Sequence, residues 1–166
     1  MQFDLVKFFR TASKPYRAQF TVDLSHEDFP GYGVPRPVQA EFGAKVDGSD
    51  LILELEVSAE IEAECGRCLS PLKEEYRFER FFVLKEKDLE DPDNELPVDP
   101  KGVMELNELV FQELVLEVPT VLLCSEDCLG LCPVCGKKKA AGCTCQAAEE
   151  PAPTDPRLSI LKQLLN

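Results

Sequence analysis

The sequence predicts an α+β fold: a β-rich antiparallel sheet or partial barrel, one packed helix, a cysteine-rich module and a short C-terminal helix. Three observations carry this expectation. Apolar and polar residues alternate with period two through most of residues 16–84. One apolar-rich stretch of helical length, 104–118, ends against Pro119. Eight cysteines fall into four close pairs, six of them between residues 124 and 145.

In chain order, YRAQFTVDLS sets Tyr16, Ala18, Phe20, Val22 and Leu24 on one side, with polar residues between them. Val38, Ala40, Phe42, Ala44 and Val46 repeat the pattern ahead of an Asp47-Gly48 turn. LILELEVSAEIEAEC then places Leu51, Leu53, Leu55, Val57, Ala59, Ile61, Ala63 and Cys65 on one face and five glutamates on the other. Period two gives a strand one buried and one wet face, as in an antiparallel sheet. Fifteen residues exceed the usual strand length, so a bend, a bulge or a change of partner is expected. A further strand brings Tyr76, Phe78, Phe82 and Leu84 to its apolar face, completing a β-rich core over residues 1–84.

Residues 85–102, with seven acids and three prolines, read as a linker with little that could pack. Residues 103–145 read as a helix plus a cysteine module that packs on the core. The helix, MELNELVFQELVLEVP, spans about four turns and stops before Pro119, because proline disfavours helix in the residue ahead of it. Its apolar residues nearly encircle it, so burial against the sheet is expected. A second linker, 146–154, leads to a docking helix at 155–166, with Asp155 as cap and Pro156 in the first position. Its Leu158, Leu161 and Leu165 share a face, and so short a helix needs a surface to dock on.

The net charge is −13, so a long-range field does not draw this chain to nucleic acid; any RNA contact must be a local basic feature or pass through a protein. No apolar run approaches the roughly 20 residues that a membrane-spanning helix needs, so no membrane partner is expected. MQFDLVKFFRTASKP lacks the apolar core and cleavage site of a secretory leader, and a cytoplasmic location is expected. Thiols stay reduced there, and eight cysteines read as metal ligands before disulfides.

The spacings are Cys65-x2-Cys68, Cys124-x3-Cys128, Cys132-x2-Cys135 and Cys143-x-Cys145. Eight thiolates are the number that two tetrahedral zinc sites require. CPVCG at 132–136 has the form of a zinc knuckle, in which Gly136 lets backbone amides face the sulfurs. We therefore expect one zinc at Cys132, Cys135, Cys143 and Cys145, and a second at Cys65, Cys68, Cys124 and Cys128, although spacing leaves other pairings open. The second would pin the end of the helix to a hairpin tip.

Other chemistries fit less well. CGRC alone resembles a thiol redox motif, but it ends a strand where that chemistry uses a helix N-terminus. Cys128-x3-Cys132-x2-Cys135 equals the spacing of radical-SAM iron–sulfur sites, in a chain too short for that barrel. The one histidine, His26, lies in a turn-like stretch with no evident nucleophile, and no phosphate loop, dinucleotide fingerprint or serine elbow occurs, so neither an enzyme nor a small-molecule substrate is expected. Lys137, Lys138 and Lys139 lie between the knuckle and its closing cysteines. They either offset the negative charge of a four-thiolate zinc or contact RNA phosphates, with Arg67 as a further candidate.

CGRCLSP, then MELNELVFQELVLEVPTVLLCSEDCLGLCPVCGKKKAAGCTC, then DPRLSILKQLL, together resemble the YceD family of large ribosomal RNA subunit accumulation proteins. The resemblance is strongest at 65–71, 104–145 and 155–165. It implies a cytoplasmic, non-catalytic factor of ribosome biogenesis, acting through processing, protection or assembly of large-subunit ribosomal RNA. Its partner would be that RNA or a precursor ribosomal particle, met directly or through a ribosomal protein. Some relatives lack most of the C-terminal cysteines, which implies that the zinc at Cys132, Cys135, Cys143 and Cys145 is a stabilising addition rather than the functional core. No catalytic residue follows from the resemblance. A protein–protein adaptor without RNA contact is the alternative, and a CxxC thiol redox protein a more distant one.

Overall fold

The computed structural model describes residues 1–85, 87–88 and 96–145. The linker expected at 146–154 and the helix expected at 155–166 lie outside the described residues.

The main antiparallel sheet has five strands: β2 (Tyr16–Val22), β3 (Tyr32–Gly33), β4 (Val38–Asp47), β5 (Asp50–Glu64) and β6 (Pro71–Lys85). β5 is its spine. It pairs with β6 along its whole length, from Asp50 opposite Lys85 to Glu64 opposite Pro71. On its other side it pairs with β4 as far as Ser58 and then with β3 at Glu62 and Ala63. A change of partner thus accommodates the unusual length. β2 lies outside β4, so β2 and β6 are edges, the short β3 is a further one beside the far end of β5, and the described residues form no closed barrel.

Alternation decides the two faces. Leu51, Leu53, Leu55, Val57, Ala59 and Ile61 of β5 are buried in the core. The opposite face is laced by cross-strand ion pairs: Arg17 reaches Glu41 (2.9 Å) and Glu54 (3.0 Å), Lys45 also reaches Glu54, and Arg36 and Lys73 pair with Glu60 and Glu62. Such exposed pairs are worth about 0.2–1 kcal/mol each and chiefly keep a glutamate-rich surface from repelling itself.

Short elements besides β3 also went beyond the expected ones. β1 (Gln2–Asp4) pairs with β7 (Val103–Glu105) in a small separate sheet, and α1 (Leu5–Thr11) lies between β1 and β2. A signal for α1 was present: Asp4 Oδ1 accepts the Lys7 amide at 2.8 Å as N-cap, ahead of Leu5, Phe8 and Phe9 at helical spacing. β7 also shortens the expected helix. α2 runs Leu106–Glu117, because residues 103–105 are taken by the pairing with β1. It buries Leu106, Leu109, Val110 and Leu114, while Leu116 is exposed, so one side of this apolar helix is wet.

The acidic stretch also differs from expectation at its end. Leu96 is buried, Val98 bridges Met104, and Asp99 Oδ1 accepts the amides of Lys101 and Val103 in an Asx turn. One apolar residue in each of these places suffices to dock a segment that is acidic on average. A single hydrophobic cluster extends from Phe3 to Leu122. Within it Phe29 packs against Tyr32 and Phe111, and Tyr32 donates to the Leu114 carbonyl, joining α2 to the sheet.

Arg80 interrupts the apolar face of β6. It reaches Glu113 (3.0 Å) and Glu117 (2.6 Å) of α2 and lies over the Phe78 ring. Glu113 is buried, so losing its cation strands a charge in the core. Arg80→Met is expected to lower unfolding free energy by about 2 kcal/mol, measured by denaturant titration. Adding Glu113→Leu should recover part of that loss, since no buried charge is then left without a partner and Glu117 remains within reach of water.

Candidate metal centres

β5 and β6 are joined by a tight turn whose tip bears the first cysteine pair. The Cys65 amide donates to the Ser70 carbonyl (2.8 Å), and the Leu69 amide to the Cys65 carbonyl (2.9 Å). Gly136 makes the corresponding bond to Cys132 (2.9 Å), so CGRCL and CPVCG form the same turn. The residue after each second cysteine takes a left-handed backbone, with φ +68° at Gly136 and +56° at Leu69. Leucine there costs roughly 1–2 kcal/mol. This substitution is why the first turn is less plain in the sequence than the second.

The chain leaving α2 crosses the hairpin tip. Gly66 donates to the Leu122 carbonyl at 2.8 Å, and a β-carbon on Gly66 would stand 2.7 Å from Val121 Cγ1. Glycine lets the Val121 side chain stay where it is at this approach, which carries Cys124 and Cys128 to the tip. The sulfurs of Cys65, Cys68, Cys124 and Cys128 all lie within 4.8 Å of one another, with Cys65–Cys128 at 3.8 Å and Cys68–Cys124 at 3.6 Å. The sulfurs of Cys132, Cys135, Cys143 and Cys145 form a second such group, with Cys135–Cys143 at 3.5 Å. Four thiolates at about 2.3 Å from one tetrahedral ion stand about 3.8 Å apart. A disulfide would need about 2.05 Å. The donor sets fit a metal.

Electrostatics point the same way. Amide donation, from Cys124 first and then Arg67 and Cys68, draws the Cys65 thiol down to about 6. The amides of Cys135 and Val134 draw Cys132 down to about 6. Cys124 is pushed up to about 12 by the sulfurs of Cys128, Cys68 and Cys65, and Cys145 to about 12 by those of Cys143 and Cys135. Each cluster thus stabilises some thiolates but lacks the positive charge for four, which a divalent cation would supply. The clusters differ in depth: Cys65 and Cys68 are buried, whereas in the second only Cys132 is, and Cys135 and Cys145 are exposed. Buried cysteines on a strand hairpin are a poor match to the accessible thiol at a helix start that redox exchange uses.

The basic candidates divide on inspection. Arg67 spends one guanidinium nitrogen on the carbonyls of Glu126 (3.0 Å) and Cys128 (3.1 Å), holding the loop that bears Cys124 and Cys128. Lys138 donates to Ser70 Oγ at 2.7 Å. Lys137 and Lys139 are exposed and make no side-chain hydrogen bond or ion pair among the described residues. His26 is exposed in a turn.

The family model of YceD, described as large ribosomal RNA subunit accumulation protein, matches residues 53–165, more than half of the chain and all eight cysteines. This chain belongs to that family. Comparison with curated proteins and with solved structures gives no match. No helix among the described residues is long and apolar enough to cross a membrane.

Proposed function

We propose that this member of the YceD family is a non-catalytic, cytoplasmic zinc protein that supports accumulation of large-subunit ribosomal RNA by binding a precursor particle. Family membership carries the role in ribosomal RNA accumulation. The two four-sulfur clusters support two structural zincs, one at Cys65, Cys68, Cys124 and Cys128 and one at Cys132, Cys135, Cys143 and Cys145. Closed by four thiolates, each zinc holds its segment in place and leaves no open position for a substrate.

Lys137 and Lys139 are the phosphate contacts this reading favours, because their ammonium groups have no competing partner among the described residues. Sedimentation of native lysate tests the reading: the protein should migrate with immature large-subunit particles and leave them as salt rises. Lys137→Ala with Lys139→Ala should weaken that association about threefold to tenfold and reduce its salt dependence, with no change in zinc content. Migration only as a small protein would overturn the reading. The glutamate-rich outer face and the net charge of −13 favour the second reading, an adaptor that grips a basic protein. Under that reading the double variant leaves association unchanged.

A further inference from the structure

We propose that Lys138, carried on the loop of the second cluster, is an outer-sphere partner of the first and helps to retain the metal held there. This rests on the zinc reading above and adds a contact between its two sites.

A hydrogen-bonded chain connects them. Lys138 Nζ lies 2.7 Å from Ser70 Oγ, which lies 3.0 Å from Cys68 Sγ. An ammonium only donates, so Ser70 accepts from Lys138 and its own hydrogen remains for the sulfur. A divalent ion with four thiolates carries a net charge of about −2, which a hydroxyl donor and a nearby cation both stabilise. Ser70 is itself held by the turn, its carbonyl accepting the Cys65 amide.

Backbone bonds hold the strap that bears Lys138 against the hairpin tip. Leu131 N–H donates to the Arg67 carbonyl (3.1 Å), Cys132 N–H to Lys137 (2.7 Å) and Lys139 N–H to Gly130 (3.0 Å). Leu131 and Lys138 form an isolated bridge. Gly130 has φ +71°, and a β-carbon there would stand 3.0 Å from the Arg67 carbonyl, so strap and tip are in direct contact. Lys138 lies between two ligands of the second cluster, Cys135 and Cys143, whose capture fixes the strap's ends. The three consecutive lysines therefore have different work, and only Lys138 faces the first cluster.

The test is metal release from the full chain to a chromophoric chelator, after elemental analysis of the purified protein. Two zincs and two release phases are expected, the fast one from the exposed second cluster. Cys145→Ser should abolish the fast phase and so identify the slow phase as the first cluster. Lys138→Met should then speed the slow phase about tenfold and leave the fast phase as in the wild type. Lys138→Arg should restore it, and Lys137→Met should change neither phase. Protein without zinc would refute the metal reading itself. Two zincs with an unaltered slow phase in Lys138→Met would overturn the role of Lys138 alone. Equal acceleration of both phases would do so too, since it reports a loosened loop.

Discussion

Cys68→Ser is expected to lose one of two zincs and to unfasten the chain after α2 from the β5–β6 tip. Cys68 is buried, and its sulfur stands 3.6 Å from that of Cys124, across 56 residues of sequence. Structural zinc contributes about 10–16 kcal/mol in isolated finger peptides, and a larger fold retains part of its core without it. A loss of several kcal/mol in unfolding free energy is the expected result, with zinc counted by elemental analysis beside a denaturant titration. Cys145→Ser, at the exposed cluster, should remove one zinc with a much smaller loss. Acid should act in the same direction. Cys65 and Cys132 are depressed from the ordinary thiol value of 9.0 to about 6, so thiolate ligation is favoured above that range. Below about 6 protons compete with the metal for these sulfurs, so zinc affinity should fall and zinc release rise as acidification goes further.

Phe42→Ala is expected to cost about 3–5 kcal/mol without touching either cluster. Phe42 is fully buried, its ring 5.0 Å from that of Phe3 and 6.4 Å from that of Tyr16. The cavity would open where β1 docks on the main sheet, so the β1–β7 pairing should loosen as well. Amide hydrogen exchange at Phe3 and Met104 would report this loosening, and denaturant titration the total. Phe81→Ala is the control: that ring is 63% exposed on the opposite face, and its loss should stay within about 0.5 kcal/mol.

Legibility in the sequence followed the length of each pattern. Ten residues of β4 and fifteen each of β5 and β6 repeat period two often enough to name their buried faces. Three residues of β1 or β7 hold no period, and their pairing joins Phe3 to Met104, too distant in the chain for any local signal. The polar Arg80 interrupts an apolar face for a reason that lies on α2, in Glu113 and Glu117. At the clusters, spacing shows that the cysteines come in pairs and that CPVCG can turn tightly. Leu69, by contrast, gives no hint that CGRCL makes the same turn.

By itself the sequence determined the sheet faces, the presence of an apolar helix ahead of Pro119 and a donor set of thiolates, because alternation, proline sterics and sulfur chemistry all act within a few residues. Only the tertiary structure decided that Cys65 and Cys68 meet Cys124 and Cys128, and that Lys138 alone of three lysines reaches Ser70. Those outcomes depend on the close approach at Gly66 and Gly130, where two distant backbones touch. Such contacts follow from how the whole core packs, and no local pattern encodes them.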